Sequence, residues 1–244
     1  KTKKLPRSEA RDANLKKFRR QRRINKLKIL CVTDPQKVYG NKFFKKRINK
    51  FQWETPITEE FVRRHGVKSF LDIGCALGRC LEGAIEGGAT IVKGVDVGYE
   101  AMKEHIPPKL APNITFGDAI EPLDIEGAPF DLVWSMEVAE HIVPERTDAY
   151  VKNVCDLSSG LILITVCDEP NRRGSHGHIN VQPRPYWIDK FTEAGCTYLE
   201  DEVEKTRKIW GPLGSRQYIM RRLMIFRKNR KTRQLLQRKE KSVR

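Results

Sequence analysis

The chain has no apolar run approaching the roughly 18 residues that a membrane-crossing helix needs, and its mean hydropathy is −0.57. No membrane span is therefore expected. No secretory leader is legible at the amino end, and no internal repeat of a solenoid kind is present. The six cysteines (Cys31, Cys75, Cys80, Cys155, Cys167 and Cys196) include no C-x-x-C pair, which argues against a zinc ribbon. Several stand in apolar stretches, and reduced thiols with a cytoplasmic location are the expectation. Acid is nearly missing from both ends, with three Asp/Glu in residues 1–50 and one in residues 205–244.

That scarcity makes the net charge of +16 uneven: the two ends carry 19 and 15 Lys/Arg, while residues 51–204 carry 13 against 27 acids. An acidic middle does not grip a polyanion, so nucleic acid or an acidic partner would be held by the ends. The run from Lys16 to Leu30 mixes Phe18, Ile24, Leu27, Ile29 and Leu30 with cations, and Arg227 to Arg244 carries nine cations around Leu235 and Leu236. Both can be basic helices on phosphates, solvated tails, or helices docked on the acidic middle. The expected division is a basic N-terminal arm or helical extension over residues 1–50, a central domain over 51–226 and a basic tail over 227–244.

The central segment alternates strand and helix patterns, which predicts an α/β sheet. Phe70-Leu71-Asp72-Ile73 reads as a buried strand running into Gly74-Cys75-Ala76-Leu77-Gly78, where glycines allow a sharp turn and a close approach to a nucleotide-like ligand. Ile91 to Asp96 is a second strand ending in an acid, where a carboxylate accepts hydrogen bonds from a ribose diol. Ile114 to Ala119 and Phe130 to Ser135 give third and fourth strand ends, the latter followed by Met136-Glu137-Val138-Ala139-Glu140-His141-Ile142. Leu161 to Val166, a helix from Tyr186 to Ala194, and strands near Cys196 to Leu199 and Tyr218 to Phe226 complete the pattern.

In order and spacing, the D-x-G-x-x-x-G loop, Asp96, Asp118, the F-D-L-V strand and the E-V-x-E-H segment resemble the class I S-adenosylmethionine-dependent methyltransferases. The resemblance spans roughly residues 39 to 226. It implies a Rossmann-like, doubly wound, mostly parallel seven-stranded sheet ending in an antiparallel hairpin, here with basic terminal extensions. S-adenosylmethionine is then the cofactor and S-adenosylhomocysteine its product. The implied cofactor residues are Asp72, Gly74, Cys75, Ala76, Gly78, Asp96, Val97, Asp118 on the adenine amino group, Ala119 and Glu137. Val38 to Phe44 resembles a segment that covers the cofactor in some members, and its aromatic residues can equally be packing a capping helix.

Methyl transfer needs donor and acceptor held in line and, for a hydroxyl or amine, a proton acceptor. Glu137, Glu140 and His141 are the candidates, and histidine has the most suitable intrinsic range. Arg172, Arg173, His176, His178, Arg184, Tyr186 and Trp187 follow the fifth strand on the same sheet edge and can line an acceptor pocket. Alternatively, Pro183-Arg184-Pro185 starts the next helix and Trp187 is core. Glu137, Glu140 and His141 with His176 or His178 also resemble the small-RNA 2′-O-methyltransferases, which use a metal. Members without metal share E-x-x-E-H, so no metal site is assigned.

The first expectation for the acceptor is an oxygen or nitrogen on RNA or another nucleic acid. A small molecule or sugar is the alternative, since H-x-N-x-Q-P-x-x-Y-W resembles bacterial and phage members of that kind. A non-catalytic cofactor-binding module in a nucleoprotein assembly is a third reading. The lack of an N-P-P-Y segment after the fourth strand argues against amino-methylation of DNA bases.

Overall fold

The computed structural model describes residues 18–26, 29–30, 38–46, 48, 50–169 and 177–229. The expected site residues Arg172, Arg173 and His176, and residues 230–244 of the basic tail, lie outside the described residues.

The apolar runs form seven strands: β1 (Ser69–Ile73), β2 (Ile91–Asp96), β3 (Ile114–Phe116), β4 (Phe130–Met136), β5 (Ser158–Thr165), β6 (Cys196–Tyr198) and β7 (Leu223–Lys228). They make one sheet in the order β3-β2-β1-β4-β5-β7-β6. The first five strands are parallel, while β7 runs antiparallel between β5 and β6. Every residue of β1 is buried, as a parallel strand covered on both faces requires. Strand order reverses between β1 and β4, opening a crevice at their carboxyl ends where such sheets bind ligands. The expected α/β sheet, mostly parallel with antiparallel strands at its C-terminal end, is the observed one.

Helices Glu54–His65, Arg79–Glu86 and Glu200–Trp210 cover one face, and Thr147–Asp156 and Arg184–Glu193 cover the other. The first two meet closely: a Cβ on Gly83 would stand 2.3 Å from the Thr55 carbonyl oxygen. The Glu200–Trp210 helix has Glu200, Asp201 and Glu202 in its first turn and Arg207 and Lys208 in its last, charges that suit the helix dipole at each end. Its buried Val203, Thr206 and Trp210 fall on one stripe. Trp210 closes the core with its ring 5.7 Å from Trp134 and 6.2 Å from Phe61.

Two details differ from the sequence reading. Tyr218 to Arg222 is helical rather than strand, because β7 pairs with β5 only from Leu223, opposite Thr165, where β5 ends. The β6–β7 connection therefore holds two helices and is not a tight hairpin turn. The helix expected from Tyr186 runs from Arg184 to Glu193, with Pro185 in its first turn, where its missing N–H costs nothing.

Candidate active site

A cavity of about 480 Å³ opens along the carboxyl edge of the sheet. It is lined by the ends of β1, β2 and β4 and by the loops that follow β1, β2, β3, β4 and β5. Phe51 (φ 63°), Ala76 (φ 44°) and Glu137 (φ 55°) are the non-glycine residues with left-handed backbone among those described, and all three line this cavity. Such geometry costs an L-residue roughly 1–2 kcal/mol and collects where function over-determines the backbone.

The loop after β1 is held from two sides. The Gly74 and Cys75 amides donate to the Val95 carbonyl at 2.8 and 3.2 Å. The carboxylate of Asp96 accepts from the Ala76 amide at 2.9 Å and from the Gly98 amide at 2.7 Å, tying the β1 and β2 loops to one side chain. Gly74 has φ +81°, and a Cβ there would lie 2.3 Å from Val138 Cγ2. Its small size thus admits the β4 loop as well as turning the chain. Asp72, Gly74, Cys75, Ala76, Asp96, Val97, Asp118, Ala119 and Glu137 all line the cavity. Gly78 caps the following helix at φ 79° and is not itself part of the lining.

Burial pushes the Asp72 carboxyl well above the usual range, reinforced by Glu54 and Asp96. Burial also raises Asp96, opposed by its two backbone donors, and raises Asp118, opposed by the Ile120 amide.

At the far end, the Glu137 amide donates to the Thr165 carbonyl at 2.9 Å, and its carboxylate pairs with the Arg222 guanidinium. Burial raises the Glu137 carboxyl against the Arg222 charge. Glu140 is fully buried and absent from the lining; burial and the Glu137 charge push it well above the ordinary carboxyl range. Its backbone carbonyl accepts from the Ile179 and Asn180 amides, each at 2.9 Å. That pins the H-x-N segment beside the E-x-x-E-H loop, and the His141 and His178 rings meet edge-on at 4.9 Å. One carboxylate oxygen of Glu140 and one ring nitrogen each of His141 and His178 lie within 4.8 Å of one another. Tyr39 stands edge-on to His141 at 5.5 Å.

The structure brings His141, Glu137 and His178 to the cavity but not Arg184, Tyr186 or Trp187, a correction to the expected acceptor wall. Trp187 is fully buried, its ring 6.5 Å from Tyr150 in the core. Arg184 donates to the Tyr198 hydroxyl. The helix that begins at Arg184 turns these side chains into the core and toward β6.

Sequence reasoning missed Trp53, Glu54, Arg79, Glu169, Tyr218 and Arg222 in the lining. Paired cations in the apolar run from Ile219 to Phe226 were the only signal for Arg222. Tyr39, Phe43 and Phe44 do line the cavity; Phe44 is 1% exposed and so close to the next loop that a Cβ on Gly98 would meet its ring at 2.6 Å.

Residues 71–157 match a family model described as a methyltransferase domain. None of the curated proteins matches the chain in sequence. Among solved structures, an O-methyltransferase family protein from Burkholderia thailandensis aligns with TM-score 0.52 at 12% identity, covering 81% of this chain and 60% of that one. The chain thus spans less than two thirds of that protein. The plantazolicin methyltransferase BamL, solved with a triazolic desmethylPZN analog and SAH, aligns with TM-score 0.56 at 14% identity, covering 86% of this chain and 97% of its own. The 1,6-didemethyltoxoflavin-N1-methyltransferase of Burkholderia thailandensis, solved with that substrate and S-adenosylhomocysteine, gives 0.50 at 18% identity, with 72% and 78% covered. At these identities the likeness is one of fold.

Proposed function

We propose that the chain is a class I S-adenosylmethionine-dependent methyltransferase, as the match of residues 71–157 to a methyltransferase-domain model supports, that its cavity binds S-adenosylmethionine, and that it methylates an oxygen or nitrogen acceptor presented beside His141 and His178. Bound there, the cofactor supplies an already electrophilic methyl on a sulfonium. The observation that carries the reading is that the Gly74 loop, Asp96, Asp118 and Glu137, drawn from four separate strand ends, line one cavity.

In this reading Asp96 receives the ribose hydroxyls, Asp118 and Ala119 the adenine, and Asp72 and Glu137 the amino-acid end. The glycines let the backbone close on the ligand, Phe43 and Phe44 exclude water, and His141 takes the acceptor's proton. Calorimetry with S-adenosylmethionine and S-adenosylhomocysteine tests it directly, and failure of both to bind removes it.

For the acceptor, the reading favours RNA or another nucleic acid held by the basic ends, with a small molecule as the alternative. In its support, Arg19, Arg20, Arg22, Arg23 and Lys26 on the helix at residues 18–26 are all exposed. Deleting residues 1–30 and 230–244, which leaves β7 whole, should weaken RNA binding and flatten its dependence on log salt by about 3 or more, since each neutralised phosphate contributes roughly 0.7–0.9 to that slope. An unchanged slope moves the acceptor to the small-molecule class.

The cluster of Glu140, His141 and His178 favours a second reading. Both carboxylate oxygens of Glu140 are buried without a hydrogen bond inside 3.5 Å, and mixed carboxylate and imidazole ligands suit a divalent cation. The donor set fits such an ion, which would serve as a Lewis acid holding acceptor oxygens. His178→Ala should then abolish any stimulation of methyl transfer by Mn²⁺ while leaving S-adenosylhomocysteine affinity unchanged, because this reading assigns the cofactor to Asp72, Asp96, Asp118 and Glu137 and His178 to the acceptor. Transfer insensitive to both EDTA and His178→Ala would return His141 to the role of proton acceptor.

A further inference from the structure

We infer that Arg222 is a positioning residue for the cavity, acting through Glu137. This rests on the reading of the cavity as the S-adenosylmethionine site. Arg222 ends the short helix Gln217–Arg222 just before β7, so it belongs to the late, antiparallel part of the sheet. Its side chain is nevertheless 5% exposed and reaches the loops after both β4 and β5. The guanidinium pairs with Glu137 through Nη1. Through Nη2 it donates to Glu169 Oε1 at 3.0 Å and to Cys167 Sγ at 3.3 Å, and Asp168 Oδ1 lies 3.6 Å from Nε. It also lies over the Tyr218 ring, 5.0 Å from its centre.

A staple for the sheet needs one carboxylate, whereas here three converge on one planar donor. Bidentate and forked recognition of that kind is what arginine offers and lysine does not. Glu137 is the partner with most to lose. Its backbone sits at φ 55°, held by its amide to Thr165 and by its Oε2 to Arg222. Oε1 is left without a hydrogen bond inside 3.5 Å, on a residue that lines the cavity. Arg222 therefore commits one oxygen of Glu137 and fixes where the other stands. Freed of Arg222, a carboxylate on a strained backbone would relax, and the oxygen available to the ligand's ammonium would be lost with it.

The test compares calorimetric affinity for S-adenosylmethionine with thermal midpoint in Arg222→Lys, Glu137→Gln and the double variant. A hydrogen bond to a charged group contributes about 1.5–3 kcal/mol, so each single variant should bind roughly 10-fold or more weakly. The double variant should bind no more weakly than the worse single, because both remove one linked interaction. Arg64→Lys is the control. It disturbs a half-buried ion network with Glu60 and Glu202 on the outer side of the helix layer, and should lower the midpoint without touching affinity.

Arg222→Lys that lowers the midpoint and leaves affinity at the parent value overturns the inference, as does strict additivity in the double variant. Should Arg222→Lys not fold, Glu137→Gln decides alone: unchanged affinity means Arg222 has nothing to act through. A parent protein that binds no S-adenosylmethionine instead removes the cofactor reading, a distinguishable outcome.

Discussion

Replacing Asp96 by alanine should weaken S-adenosylmethionine binding by at least about 100-fold, the largest loss expected from any single change in the cavity. The side chain is 8% exposed and accepts from the Ala76 and Gly98 amides. Removing it leaves two backbone donors at the cavity without their acceptor and takes away the proposed partner of the ribose hydroxyls. Two charge-assisted hydrogen bonds at about 1.5–3 kcal/mol each correspond to roughly two to four decades in affinity. Asp96→Asn should fall between alanine and the parent. It keeps one acceptor oxygen but turns an amide NH₂ toward an N–H that also donates, so one loop is held and the other repelled. Calorimetric titration of the three proteins checks the order, and equal affinities for aspartate and alanine would show that this carboxylate does not serve the ligand.

Gly74→Ala carries the second large effect, this time on stability. A methyl group at φ +81° costs about 1–2 kcal/mol from backbone alone, and its approach to Val138 Cγ2 at 2.3 Å adds overpacking of about 1–3 kcal/mol. The urea midpoint should drop accordingly. Val138→Ala placed on top should restore the overpacking share and none of the backbone share, because shortening Val138 clears space without changing φ. If the second substitution restores nothing, the β4 loop is not what requires glycine at position 74.

The same pair of residues marks where sequence reading worked and where it stopped. Buried parallel strands announce themselves as short β-branched and apolar runs, and the turn chemistry of Gly74 and Gly78 together with the acids at Asp96 and Asp118 is local, so the sheet and one end of the cavity were legible. Glycine at position 74 was read as a site where the backbone approaches a ligand, and the structure adds Val138 beside it, a contact across some sixty residues that no local pattern encodes. Trp187 was ambiguous for a similar reason. An aromatic residue after a proline-rich segment serves a pocket or a core, and only packing against Tyr150 and Phe191 decides for the core. Tyr218 to Arg222 misled because apolar residues in a short run suit helix and strand alike, and the end of the partner strand at Thr165 settles the matter. Arg222 lay beyond reach since its value depends on three carboxylates brought together by two loops.

The placement of Phe44 against the Asp96–Gly98 turn, with Tyr39 on His141, has a thermodynamic consequence. The 38–46 segment and a ligand in the cavity share a wall, so their equilibria are linked: by whatever factor the seated segment raises ligand affinity, ligand must raise the segment's own tendency to stay seated. Backbone amides of residues 43–46 should therefore exchange with deuterium more slowly once S-adenosylhomocysteine is bound. Anything that pulls on the basic helix upstream would be felt, through the same linkage, as a change in how tightly the cavity holds its ligand.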